Sequence, residues 1–207
     1  MSYKAEPSNG SAVGAAADVD KIMTVARALL AANGYDGVKV PSIVAKAGIS
    51  TRTFYRSFES KSHLLLALYK AESQGIADRV AGAVAMHDDP LDALDAWITA
   101  LVLPPLNPKL RKRALRFAVV RVELIAEFGV VDPFDDHPVM GSLRSIVERG
   151  IAAGVFAPDS GETAVAMIHN LCTGTLYDAL GREPGSVHDA TARVIAAARL
   201  ILRAQSA

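Results

Sequence analysis

Val40–Phe58, VPSIVAKAGISTRTFYRSF, reads as two short helices joined by a tight turn. Pro41 suits a first helical turn, where a missing N–H costs nothing. Ile43, Val44 and Ala47 recur at helical spacing and give the first helix one apolar side. Gly48 can take the left-handed backbone of a helix exit. Ser50 can cap the next helix by accepting from a backbone N–H. In that second helix Phe54 and Phe58 lie four apart and share a face directed at a core. Thr51, Arg52, Tyr55 and Arg56 fall on the other side, and the hydroxyl of Thr53 adds to their donors.

A helix of seven or eight residues is marginal in isolation, so packing through Phe54 and Phe58 has to hold it. What it then offers to solvent is two guanidinium groups one turn apart, a phenol and several hydroxyls. An Arg presents a planar fork of donors that fits phosphate oxygens or the acceptor edge of guanine. Hydroxyls bond phosphates and fix register. Helix, glycine turn, then a helix with a donor-rich face is the helix-turn-helix layout. Spacing by itself leaves open a solvated polar face on an ordinary helical hairpin.

Residues 22–66, IMTVARALLAANGYDGVKVPSIVAKAGISTRTFYRSFESKSHLLL, resemble the N-terminal DNA-binding domain of TetR-family transcriptional regulators. The resemblance is carried by Ala26 and Leu29, Asn33-Gly34-Tyr35, Val40 with Ile43, Ala47-Gly48-Ile49-Ser50, Thr53-Phe54-Tyr55, Phe58 and Ser60-Lys61. Lys39 departs from the pattern where a Ser or Thr cap usually opens the second helix, Arg52 where a small residue is common, and Ser57 where an aromatic is frequent. With the exposed face of the second helix, this points to DNA contacts from Thr51, Arg52, Thr53, Tyr55 and Arg56, and the resemblance implies a phosphate contact from Lys61. Lys61 fits that role physically. It stands in the first turn of the next helix, where the macrodipole favours an anion rather than a cation.

The 207 residues carry a formal net charge of +0, so overall charge does not advertise a polyanionic partner. Asp18–His63 holds seven basic residues against four acidic ones, a local net of +3, which fits a basic reading head on a more acidic body. The single cysteine, Cys172, excludes an internal disulfide and fits a reducing cytosol. Its apolar surroundings predict a buried, inert thiol. No continuous apolar run is long enough for a membrane span, and the cytoplasm is the expected location. Residues 1–17 are read as a loose arm from their Ser, Gly, Ala and Pro content. Residues 18–63 are read as the helix-turn-helix domain, and 64–207 as a larger helical domain.

Fold class is expected to be all-α, with about nine helices: a three-helix DNA-binding domain followed by a helical ligand-binding and dimerisation domain. The first helix is expected at about 19–33, with Ile22, Val25, Ala26, Leu29 and Leu30 as its stripe. A fourth begins after a Ser60 cap and is expected to be the single connection between head and body. Later helices are expected at about 90–102, 108–128, 137–154, 160–180 and 187–205. Glu148-Arg149-Gly150-Ile151-Ala152-Ala153-Gly154-Val155-Phe156 again resembles TetR regulators, in the turn before the penultimate long helix.

The last two helices are rich in small residues, and the resemblance implies that they pair with their copies in a homodimer. One reading helix makes few contacts, and two-fold symmetry doubles them on a palindromic operator. Trp97, Phe117, Arg121, Met140, His169 and Tyr177 are candidate contacts to a small, largely apolar effector, each also compatible with plain core. Arg111, Lys112, Arg113 and Arg116 read as a solvated basic face. No Gly-rich phosphate loop, nucleophile elbow or metal-ligand spacing occurs, so no enzyme, metal or cofactor is expected. A helical ligand-binding or protein-interaction module without DNA function is the alternative from another class.

Overall fold

The computed structural model describes residues 9–103, 107–129, 138–157, 161–181 and 185–203. Among these the chain forms nine α-helices and no strand: α1 Asn9–Asn33, α2 Val40–Ala47, α3 Thr51–Ser57, α4 Lys61–Val84, α5 Pro90–Val102, α6 Pro108–Phe128, α7 Pro138–Ala152, α8 Glu162–Gly181 and α9 Gly185–Arg203. A single 3-10 turn, Tyr35–Gly37, follows α1. None of the described helices is long and apolar enough to cross a membrane.

The first helix starts at Asn9, ten residues before its expected start at Val19. The loose arm expected over residues 1–17 is corrected over 9–17, and residues 1–8 lie outside the described ones. Ala15, Ala16 and Ala17 have the highest intrinsic helix propensity and extend the helix upstream. Residues 104–106 and 130–136, expected to lie between helices, are also outside the described residues.

Two compact units divide the chain, one comprising Met1–Tyr69 and Arg116–Gly129, the other Lys70–Leu115 and Val130–Ala207. In the first, α1 packs on α2 and α3, and α2 on α3. Ile22, Ala26, Leu29, Leu30, Ile43 and Phe54 are buried there. The second half of α6 belongs to this unit, with Phe117, Val120 and Leu124 buried at helical spacing. So α4 is not the only helix shared by both units. The C-terminal end of α6 meets the start of α4 through a hydrogen bond from Ser62 to Glu127. An edge-to-face contact of His63 with Phe128 at 5.2 Å adds to it.

In the second unit α5 is the central element, packing against α7, α8 and α9, while α8 packs on α9. Asp89 caps α5, accepting from the N–H groups of Leu91 at 2.8 Å and Asp92 at 3.1 Å. Trp97 is fully buried, and its indole N–H satisfies Val139 O at 3.2 Å and Ser142 Oγ at 3.0 Å. Arg199 Nε donates to Asp95 at 3.1 Å, tying α9 to α5. The basic start of α6 is partly engaged rather than wholly solvated: Arg111 donates to Leu180 O at 2.9 Å, and Arg113 pairs with Glu72.

Gly150 shows why its position excludes a side chain. A Cβ there would lie 1.9 Å from Phe156 Cδ2, and the Phe156 ring is itself buried. The Gly150 carbonyl also accepts from the N–H of Val155 at 2.8 Å and of Phe156 at 3.1 Å, closing the turn after α7. Gly150→Ala is expected to cost about 1–3 kcal/mol through overpacking, read as a lower urea midpoint.

Cys172 is fully buried, and burial pushes its thiol up to about 12. In the folded state it stays neutral at pH values where the unfolded chain ionises. Its contribution is therefore present below the ordinary thiol value of 9.0 and is lost as pH rises toward 12. Native protein at neutral pH is expected to resist alkylation by iodoacetamide and to react once unfolded, as mass spectrometry would register.

Candidate nucleic-acid interface

Each junction of the hairpin follows from its residues. Lys39 precedes α2 without any side-chain cap, as its chemistry dictates, and Pro41 stands in the first turn. Gly48 ends α2 at φ 64°, ψ 36°, a left-handed conformation that costs glycine little. Ser50 Oγ accepts from the Thr53 N–H at 3.0 Å and caps α3. Ser57 donates to Thr53 O at 3.2 Å at the other end. Phe54 is fully buried, with the ring of Tyr55 edge-on at 5.3 Å and that of Phe58 tilted at 6.1 Å. Phe58 is half-buried, so Phe54 is the principal anchor.

With Phe54 inward, Arg52 and Arg56 lie on the opposite side of α3, and Thr51 and Tyr55 are exposed as well. Tyr55 retains 54% of its surface. The hydroxyl of Thr53 lies 2.9 Å from that of Ser50 and is half-buried, so this side chain belongs to the cap as well as to the surface. Arg52 forms no ion pair among the described residues. Arg56 differs from its expected open solvation: its guanidinium bonds Asp18 of α1 at 3.1 Å, while its side chain remains 63% exposed. The pair draws one amino group toward α1 without withdrawing the arginine from solvent.

Lys61 stands at the start of α4 beside Tyr35. Its ammonium donates to Tyr35 O at 3.3 Å and sits 3.8 Å from the centre of the Tyr35 ring. That is a cation–π arrangement, and it orders a side chain that would otherwise be free. Burial, followed by the carboxylates of Glu123, Glu127 and Asp36, pushes the Tyr35 phenol up from its ordinary value. Ser60 Oγ accepts from the His63 N–H at 3.2 Å and caps α4. The first turn of α4 holds no acidic residue, and Glu59, just before it, lies 3.5 Å from the His63 ring.

Asp18, Tyr35 and the C-terminal carboxylates of α6 escaped the sequence reading as parts of this face. Asp18 and Arg56 are 38 positions apart, and no local pattern pairs them. Ser62 and Glu127 are 65 apart.

The six candidate effector residues are divided between the two units. Phe117 and Arg121 belong to the first unit, and Trp97, Met140, His169 and Tyr177 to the second. Trp97, Met140 and His169 are buried, and Tyr177 is exposed. A cleft of about 590 Å³ in the second unit is lined by other residues, among them Met86, Asp92, Asp95, Ala96 and Thr99.

Residues 22–68 match the family described as bacterial regulatory proteins, tetR family. Among curated proteins none matches by sequence. Solved structures share the fold. A TetR-family transcriptional regulator from Pectobacterium atrosepticum superposes with a TM-score of 0.71 at 18% identity, covering 93% of this chain and 95% of that one. RolR in complex with resorcinol superposes with a TM-score of 0.62 at 19% identity, covering 92% of this chain and 95% of its own. A TetR-family transcriptional regulator from Streptomyces coelicolor gives a TM-score of 0.59 at 18% identity, covering 90% and 96%.

Proposed function

We propose, from the premise that residues 22–68 are a tetR-family regulatory domain on a TetR-regulator fold, that this protein is a cytoplasmic, ligand-responsive transcriptional repressor. It binds a palindromic duplex operator as a homodimer. One observation carries the reading: α3 buries Phe54 and leaves Thr51, Arg52, Tyr55 and Arg56 exposed. Those are the groups that donate to phosphates and base edges, on a helix that its neighbours hold in place.

Dimerisation is assigned to α8 and α9. Met167 on α8 and Leu200 on α9 are large apolar side chains left exposed, which a partner copy would cover. A two-fold dimer presents two α3 helices to half-sites about one helical turn apart. The effector is proposed to be small and largely apolar, bound by residues of the later helices. RolR, which shares the fold, has been solved with resorcinol, a small aromatic diol. Because α4 is one continuous helix from Lys61 to Val84, displacement of its later turns would be passed to Lys61. The effector releases DNA only if it binds the DNA-incompetent state more tightly.

Selection from a duplex library with a randomised core, using the purified protein, tests the reading. The expected result is enrichment of an inverted repeat, with affinity that falls as salt rises. No enriched sequence and no salt-dependent affinity for any duplex would overturn it and favour a protein-interaction module. On the selected duplex, Lys61→Ala is expected to weaken binding to all sequences alike. It should also lower the salt-dependence slope by about one, measured by fluorescence anisotropy over a salt series.

A further inference from the structure

We propose that Asp18, on α1, is a positioning residue for DNA specificity, holding Arg56 so that it reads a guanine edge instead of a phosphate. The inference rests on the DNA-binding reading above. The two side chains are unequal. The Asp18 side chain is only 23% exposed, whereas that of Arg56 is 63% exposed. The carboxylate is thus the fixed partner and the guanidinium the presented one. As a stabilising contact the pair is weak, because solvent screens so exposed an arginine.

Its geometry has a different consequence. One amino group of Arg56 bonds one Asp18 oxygen at 3.1 Å, and among the described residues this is the only hydrogen bond of the guanidinium. Nε and the second amino group remain available. A guanidinium carries donors in a rigid fork, so holding one corner restricts where the others point. Less freedom is then lost when the fork engages an acceptor pair. The Asp18 charge adds a second bias. Beside Arg56 it repels a phosphate, which is anionic, more than the neutral O6 and N7 acceptors of guanine. Arg56 alone would bind either; Arg56 beside Asp18 favours the base.

The experiment uses the full-length protein and the same randomised duplex library, with Asp18→Ala, Arg56→Ala and the double variant. In the wild type one position of each half-site is expected to prefer guanine, and Arg56→Ala removes that preference. Asp18→Ala is expected to lower it about fivefold or more at that position and to leave the other positions unchanged. Affinity for a duplex outside the selected set should hold or rise. The double variant should match Arg56→Ala. Asp18→Asn keeps the side-chain shape and removes the charge, so it should show the same directional loss with an intact circular dichroism spectrum. An unaltered guanine preference in Asp18→Ala and Asp18→Asn overturns the proposal, as does an equal loss on every sequence. If the wild type selects no duplex, the regulator reading fails and this one with it. A motif selected by the wild type and unchanged by either Asp18 variant defeats this inference alone.

Discussion

Phe54→Ala is expected to destabilise the first unit by about 3–5 kcal/mol, the usual range for emptying a buried phenylalanine site. Phe54 is fully buried, has ring contacts to Tyr55 and Phe58, and lies on α3, which packs against α1 and α2. A seven-residue helix has too few internal hydrogen bonds to persist once that anchor is gone. The chain provides its own control. Trp97 is its single tryptophan and lies in the core of the second unit. Urea unfolding followed by far-ultraviolet circular dichroism should show an early transition, with the tryptophan emission change at higher denaturant. Coincident transitions at the wild-type midpoint would mean that Phe54 does not anchor α3.

Arg56→Ala is expected to cost about 1–3 kcal/mol of affinity for the selected duplex and to relax specificity at one position per half-site. The variant should fold normally, because Arg56 is mostly exposed and its ion pair with Asp18 is solvent-screened. The decisive quantity is the ratio of affinities for duplexes differing only at that position. A uniform loss across sequences, with a shallower salt dependence, would identify a phosphate contact instead. Unchanged binding would remove Arg56 from the interface.

The hairpin was legible because its determinants are local. Gly48 supplies a backbone conformation, Ser50 supplies a cap, and Phe54 with Phe58 sets which side of α3 is buried. Each acts within four residues. Helix bounds behaved in the same way where proline or a capping side chain marks them, as at Pro90 and Pro108. The start of α1 did not. An alanine-rich stretch broken by glycine carries no stop signal, and its composition looks equally like a loose arm. Engagement of Arg111 with Leu180 and of Arg113 with Glu72 was also hidden, because a run of cations looks the same whether solvated or paired.

By itself the sequence determined that the protein is all-helical, that α2 and α3 form a capped glycine-turn hairpin, and that the donor-rich side of α3 faces outward. Only the tertiary structure decided that Asp18 holds Arg56, that Lys61 lies over Tyr35, and that the second half of α6 belongs with the N-terminal helices. The difference is one of range. Helix periodicity, caps and turns are set by residues a few positions apart, whereas an ion pair across 38 positions exists only once packing has brought two helices side by side.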